Sequence, residues 1–265
     1  MPFTIAHAAV APPLWKLTRG RLVLSALAVG ATAPDLEYLV HLRTHRTIGH
    51  TLPGIFVLCV PLTLVVLALW HKLIGPQLSR LLPERLAPVA AVASRPFRFF
   101  GAGRFTMICL SAAVGAYSHI VWDSFTHENS WFPARFEVLR GPSWNGGPQL
   151  VTLLQYGSSV LGLLLLARWT WDLLRHRPSE TPARRLPPLD ARRRWGWSLL
   201  LAAGVSSTAC TNAARLALEA SWATPRDVIT AGLVGAMAGL VPLAAAASAL
   251  LAVGERVTVR RTLRS

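Results

Sequence analysis

Charged residues are scarce in this chain. Asp, Glu, Lys and Arg make up 15% of its 265 residues, whereas 52% are hydrophobic and the mean hydropathy is +0.42. Because soluble domains carry about 25% charged residues, this composition excludes an ordinary soluble domain and indicates an integral membrane protein.

The charge-free stretches are long enough to cross a bilayer. Five of them reach the roughly 18–20 residues that a helix needs for a hydrocarbon core of about 30 Å: residues 47–70, 105–122, 141–167, 195–214 and 228–254. A sixth, 22–34, is too short for a straight crossing and predicts a re-entrant or half-length element. We therefore predict an all-α polytopic membrane helix bundle, with about five spanning helices plus short N-terminal helices.

Acidic residues are the rarer charged group, with 12 against 27 basic residues and a net charge of +15. Such a surplus can indicate nucleic-acid binding, but most of the arginines cluster in residues 75–104, 172–194 and 255–265, between near-neutral connections. Basic loops stay on the cytoplasmic side of a membrane. The pattern therefore predicts membrane topology with a cytoplasmic C-terminus, and no nucleic-acid partner.

Cysteine is rare as well. Cys59, Cys109 and Cys210 each lie within an apolar run, and none has CxxC spacing. This argues against a disulfide or a thiolate metal site and predicts buried thiols that behave as small hydrophobic residues.

A basic, proline-rich stretch divides the chain. Residues 176–195 predict a cytoplasmic linker between a membrane core at 1–175, which carries the polar motifs, and an accessory helical pair with a basic tail at 196–265. Small residues dominate that pair, and it contains no cluster of carboxylates and histidines. We expect it to serve packing.

Ionisable side chains recur at the end of the second long run. His119, Asp123 and His127 follow one another every four residues, so on a helix they line one face. Such groups are costly at hydrocarbon depth and therefore predict function. His50 begins the preceding run, and alternating spans place it at the same membrane face.

Further candidates come from the N-terminal part. Asp35 alone could be a helix cap, but Glu37 lies beside it. A lone His7 would usually be structural. His45 and His50 belong to a set of three imidazoles within ten residues. Mixed imidazole and carboxylate donors suit a divalent metal such as zinc, with manganese and iron as alternatives, whereas calcium or magnesium would prefer oxygen alone. Five or more donors also allow a two-metal site that hydrolyses phosphoesters or amides.

Four sequence blocks together resemble a known family. They are Met-Pro-Phe-Thr-Ile-Ala-His at 1–7, Ala-Pro-Asp-Leu-Glu-Tyr at 33–38, Gly-His-Thr-Leu-Pro-Gly at 49–54 and Ser-His-Ile-Val-Trp-Asp-Ser-Phe-Thr-His at 118–127. Over roughly residues 1–175 the chain resembles the bacterial multi-pass membrane family called domain of unknown function 4184. The resemblance implies a location in the bacterial cytoplasmic (inner) membrane.

The chain is also distantly similar to inner-membrane metal-dependent hydrolases. Their pattern is an early His, a Pro-Asp pair, a His-Arg-x-x-x-His block and a His-x3-Asp helix, which this chain matches at His7, Pro34, Asp35, His45, Arg46, His50, His119 and Asp123. The last helix further resembles the zinc-dependent phospholipase C and nuclease fold, whose three-metal cluster implies phosphoester chemistry. This chain has Glu37 where the hydrolases often repeat Asp, and it lacks a second His-x3-Glu helix.

These observations lead to one functional hypothesis and one alternative. The hypothesis is a metal-dependent hydrolase that acts on a lipid or lipid-linked phosphoester at the outer membrane face, with membrane lipids as partners. Its metal ligands would be His7, Asp35, His50, His119, Asp123 and His127. Glu37 or His45 would act as general base or orient a ligand, and Arg46 would hold an anionic substrate oxygen. The alternative is a non-catalytic transporter or structural protein with a buried His/Asp hydrogen-bond network.

Overall fold

The fold is built from helices. The computed structural model describes residues 4–42, 47–86, 89, 95–175, 186–220 and 222–262, and regular structure in these ranges is helical apart from one isolated antiparallel bridge between Pro142 and Gln149. The main helices are Ala11–Leu17 (α1), Leu24–Gly30 (α2), Glu37–His41 (α3), Leu52–Leu81 (α4), Arg104–Thr126 (α5), Trp131–Arg135 (α6), Leu150–Arg175 (α7), Ala191–Glu219 (α8) and Pro225–Thr262 (α9). Short 3-10 segments lie at Thr4–Val10, Ala33–Leu36, Glu84–Leu86 and Glu137–Leu139.

Four helices are long and apolar enough to cross a membrane. They cover Leu52–Leu81, Arg104–Arg135, Leu150–Asp172 and Asp227–Gly254. The all-α membrane fold predicted from the sequence is therefore confirmed. The fifth expected span lies within α8, which is a helix but is not among these four, because serine, threonine and Asn212 lower its mean hydropathy.

The chain forms two compact units. The first consists of Met1–Glu37, His45–Leu67 and Arg98–Trp171, and the second consists of Tyr38–Thr44, Ala68–Phe97 and Asp172–Ser265. Of the predicted linker at 176–195, residues 176–185 lie outside the described part of the chain, and residues from Ala191 onward already belong to α8.

In the first unit, the half-length helix α2 packs closely against α5. A Cβ atom at Gly30 would overlap the carbonyl oxygen of Ala112, and one at Gly115 would overlap that of Leu27. Only glycine allows two backbones to approach this closely. The contact holds the turn after α2, which carries Asp35, beside the middle of α5.

The N-terminal segment is held in a similar way. A Cβ atom at Gly162 of α7 would lie 2.8 Å from the carbonyl oxygen of Ala6. The 3-10 segment Thr4–Val10 therefore lies against α7, and its residue His7 is buried.

Helix α4 is irregular where it begins. Thr51 caps it, because its hydroxyl accepts a hydrogen bond from the Gly54 amide at 3.1 Å. Residues Ile55–Cys59 form a π-helical turn. Pro61 follows at once and has no N–H for a regular helical bond. His50 lies directly before the capping residue Thr51.

In the second unit, α8 and α9 pack through small residues. Cβ atoms at Gly235 and Gly239 would overlap the backbone and the side chain of Thr208, respectively. These contacts agree with the packing role expected of the small residues in this helical pair. Asn212 joins the same contact, because its amide donates to the carbonyls of Ala231 at 2.7 Å and Leu42 at 3.1 Å.

All three cysteines are free thiols. Only Cys59 is fully buried; Cys109 is half-buried and Cys210 is exposed. The expectation that all three are buried was wrong for Cys210, because an apolar membrane helix has an outward face as well as a packed one.

Candidate metal centre

Four ionisable residues of the first unit converge on one point. Asp35 lies on the 3-10 turn Ala33–Leu36, His50 precedes α4, and His119 and Asp123 lie one turn apart on α5. One ligand atom from each of them lies within 4.8 Å of every other. The sequence-based prediction of a His/Asp cluster is confirmed, and such a cluster is compatible with a metal site.

The donor atoms alternate between imidazole nitrogen and carboxylate oxygen. Asp35 Oδ1 lies 3.3 Å from His50 Nε2 and 3.4 Å from His119 Nε2. Asp123 Oδ2 lies 3.5 Å from His119 Nε2 and 3.8 Å from His50 Nε2. Ligands with bonds of ~2.1 Å to a tetrahedral ion are ~3.4 Å apart, close to these separations.

Contacts at the other ring nitrogens orient both imidazoles. His119 Nδ1 lies 2.8 Å from the carbonyl oxygen of Ala31, which can only accept, so Nδ1 carries the proton. His50 Nδ1 lies 3.2 Å from Glu37 Oε1 and makes the equivalent contact. In the neutral rings, both Nε2 lone pairs then face the two carboxylates. This is the arrangement in which an outer partner fixes the tautomer of a metal-binding histidine.

The centre of the cluster is shielded from solvent. Asp35 and His119 have 0% exposure, and Asp123 has 2%. Asp35 Oδ1 and His119 Nε2 make no hydrogen bond with any residue that the structure describes. Burying such groups without a partner is costly, and either a cation or a shared proton between them would lower that cost.

Glu37 organises the approach to His50. Its Oε1 accepts from the Thr47 amide at 2.9 Å, and its Oε2 accepts from the Thr47 hydroxyl at 2.7 Å and the Gly49 amide at 3.0 Å. Burial raises the pKa of Glu37, but these hydrogen bonds and the one from His50 outweigh that effect. The pKa of Glu37 therefore lies below its usual value. The Glu37 carboxylate thus acts as a bracket: it holds the 47–50 loop, which includes His50, through hydrogen bonds to Thr47, Gly49 and His50.

Asp35 is held as a carboxylate on its other oxygen. The Thr4 hydroxyl donates to Oδ2 at 2.8 Å. Burial raises the pKa of Asp35, but the contacts with His119 and His50 outweigh that effect and lower it. Thr4, Thr47 and the Ala31 carbonyl were not identified from the sequence, because hydroxyls and carbonyls are common and carry no motif.

His7 and His127 lie beside the cluster, where both contact Asp123. His7 Nε2 and His127 Nδ1 lie 3.5 Å and 3.4 Å from Asp123 Oδ1. Burial, and then the proximity of His119, lower the pKa of His7 to about 4, so His7 is neutral at neutral pH. The remaining predicted site residues, His45 and Arg46, lie outside the described residues.

An exposed aromatic segment, residues 131–139, follows shortly after His127. Phe132 stacks between Phe125 and Phe136, with centroid distances of 3.6 Å and 6.1 Å. Trp131 is 55% exposed, and the Arg135 guanidinium lies 5.1 Å from its ring centroid. Aromatic rings beside a cation suit the headgroup region of a membrane.

One comparison with known proteins finds a match. The family model described as domain of unknown function (DUF4184) matches residues 1–249, which extends the similarity past the first 175 residues. No curated protein and no solved structure matches the chain.

Proposed function

We propose that this chain, which belongs to the DUF4184 family, is a membrane protein that binds a divalent metal ion through Asp35, His50, His119 and Asp123. The observation that carries the proposal is the convergence of four donor atoms within 4.8 Å. Three separate segments of the chain supply them, and both imidazoles are oriented from behind by Glu37 and the Ala31 carbonyl.

The distances favour a metal ion over a proton. A histidinium that pairs with a carboxylate makes a charge-assisted hydrogen bond of ~2.7–2.9 Å. The four contacts between Nε2 atoms and carboxylate oxygens are longer, from 3.3 to 3.8 Å. They leave room for an ion that bonds to all four atoms, whereas a hydrogen-bond network would draw the groups together.

The donor set narrows the choice of metal. Two imidazole nitrogens and two carboxylate oxygens suit zinc, with manganese and iron as alternatives. Calcium and magnesium prefer oxygen ligands alone. The two carboxylates also balance the charge of a divalent ion, which matters in a site with almost no solvent exposure.

We further propose that the protein is a hydrolase of a lipid or lipid-linked phosphoester, at the outer face of the bacterial cytoplasmic membrane. A divalent ion bound there would supply Lewis acidity, and by taking a fifth ligand it would acidify a coordinated water. The chain itself contributes the oriented imidazoles, the ionised Glu37 bracket and the aromatic segment with Arg135, which suits an interfacial substrate. In the sequence, arginines cluster between the apolar runs at 75–104 and 172–194, where cytoplasmic loops are predicted, and this pattern supports the orientation.

Metal analysis of the purified full-length protein tests metal binding. We expect at least one equivalent of zinc, manganese or iron per chain, lost in Asp35→Ala and His119→Ala. His41→Ala is the matched control, because His41 is exposed and lies outside the cluster. Substoichiometric metal in the wild type, with the same metal content in Asp35→Ala and His119→Ala, would refute the proposal.

Turnover of phosphodiester lipids in detergent or vesicles tests the hydrolase assignment. We expect Asp123→Asn to abolish turnover while the protein still elutes as a folded species. If the variant lowers only the stability, and the metal-loaded wild type cleaves none of the substrates, the non-catalytic alternative holds.

A further inference from the structure

The two oxygens of Asp123 face different pairs of histidines. Oδ2 lies near His119 and His50, at 3.5 Å and 3.8 Å, whereas Oδ1 lies near His7 and His127, at 3.5 Å and 3.4 Å. We propose that Asp123 bridges two metal subsites, and that His7 Nε2, His127 Nδ1 and Asp123 Oδ1 form the second one. This inference rests on the proposed metal binding at the first subsite.

The donors of the second subsite are placed by different parts of the first unit. His7 lies on the 3-10 segment Thr4–Val10, which packs closely against α7 at Gly162. Its ring lies against that of His119, with a centroid distance of 3.9 Å. Within the described chain, His7 Nδ1 is buried and has no hydrogen-bond partner. In the neutral ring, an ion at Nε2 requires the proton on Nδ1, where no described residue accepts it; this is the tautomer in which the Nε2 lone pair faces Asp123.

His127 is held at the end of α5. Its amide donates to the Asp123 carbonyl at 3.1 Å, and its Nε2 lies 3.0 Å from the side-chain amide of Gln155 on α7. His127 Nδ1 also lies 3.3 Å from the Asp123 carbonyl oxygen, which can only accept, so without an ion Nδ1 carries the proton. For Nδ1 to bind an ion, the proton must move to Nε2 and be donated to the amide oxygen of Gln155. The oxygen and nitrogen ends of an amide exchange by a half-turn, so Gln155 can accept this bond and act as a positioning residue.

The two subsites differ in how completely the chain fills them. The first has four donors and is closed, as in a structural tetrahedral site. The second has three donors, which is the number that leaves a position for water or substrate in catalytic sites. The His127 side chain is 19% exposed, whereas those of Asp35 and His119 are at 0%. The second subsite is therefore the more accessible one.

A bridging carboxylate also fits the proposed chemistry. Ions in two-metal hydrolytic sites are ~3.5–4 Å apart and stabilise the attacking and the leaving oxygen of one displacement. Asp123 would share its charge between both ions. The open ion, next to the aromatic segment that follows His127, would be the one that contacts a phosphoester oxygen.

Metal titration of the full-length protein in detergent tests the second subsite. After loading with Zn²⁺ or Mn²⁺ and removal of excess metal, we expect two equivalents in the wild type and one in each of His7→Ala and His127→Ala. His41→Ala should keep two equivalents, because it removes only an exposed histidine. Mn²⁺-loaded wild type should show the electron paramagnetic resonance spectrum of an exchange-coupled pair, and His7→Gln should show that of an isolated ion.

Each outcome separates this inference from the proposed function. One equivalent in the wild type, unaffected by His7→Ala and lost in Asp35→Ala, overturns the second subsite and leaves the first intact. Two equivalents in both the His7 and His127 variants also overturn it. An absence of bound metal in the wild type removes both proposals. The spectrum of the wild type decides the matter even if the alanine variants fail to fold.

Discussion

Replacement of Glu37 by glutamine is the sharpest test of how the candidate metal centre is assembled. The carboxylate accepts four hydrogen bonds: Oε1 from the Thr47 amide and His50 Nδ1, and Oε2 from the Thr47 hydroxyl and the Gly49 amide. A glutamine keeps one oxygen and presents an NH2 group to two of these donors. The change is nearly isosteric, so it alters hydrogen bonding and charge with little effect on packing.

The size of the effect follows from these contacts. Hydrogen bonds to a charged group contribute ~1.5–3 kcal/mol each, so the loss of two bonds should destabilise the 47–50 loop by at least about 3 kcal/mol. The orientation of His50 depends on the same carboxylate. Removal of an outer partner of a metal-binding histidine typically costs 10–100-fold in metal affinity, and we expect a loss of about that size.

Competition with a chromophoric chelator measures the zinc affinity of the wild type and of Glu37→Gln in detergent. Glu137→Gln is the matched control, because Glu137 is exposed on the aromatic segment. If Glu37→Gln keeps the wild-type affinity within about threefold and instead loses only turnover, Glu37 acts as a general base. That result would refute the bracket role argued from its four contacts.

Three further predictions concern stability. Removal of metal by a chelator should lower the stability of the wild type by about 4 kcal/mol if the ion had been present at about 1,000 times its Kd; calorimetry should show no such change in Asp35→Ala. Thr4→Val removes the donor to Asp35 Oδ2 and should cost ~1–3 kcal/mol in chemical unfolding, whereas Thr170→Val, on an exposed hydroxyl, should cost less than about 0.5 kcal/mol. Gly30→Ala should destabilise the α2–α5 contact by ~1–3 kcal/mol, and Gly196→Ala, which meets open space, should be neutral or stabilising in a thermal melt; equal melting temperatures of the two glycine variants would contradict the close approach.

The helices could be predicted because their signal is local. A long run without charged residues has few alternatives to a membrane helix, and four of the five expected spans lie in helices of sufficient hydropathy. The fifth run forms α8, in which Thr208 and Asn212 lie against α9. Uncharged polar residues such as these reduce its hydropathy, and a count of charged residues cannot register this.

The candidate site was predictable to the extent that its residues share one helix. His119, Asp123 and His127 are spaced by about one helical turn, so helical periodicity alone places them on one face of α5. The alternation of spans also brought His50 to the same end. Glu37, by contrast, has two possible roles in the sequence, base or orienting residue. Its contacts with Thr47, Gly49 and His50 favour the orienting role, which Glu37→Gln tests.

The sequence by itself determined that this is a helical, membrane-spanning chain with a stripe of His and Asp on one helix, because composition and periodicity act over neighbouring residues. Only the tertiary structure decided which distant groups complete the stripe. Ala31 and His119 are 88 residues apart in the chain, and Thr4 reaches Asp35 across 31 residues. Such pairs depend on the close approach that Gly30, Gly115 and Gly162 allow, and no local pattern records which backbone a glycine will meet.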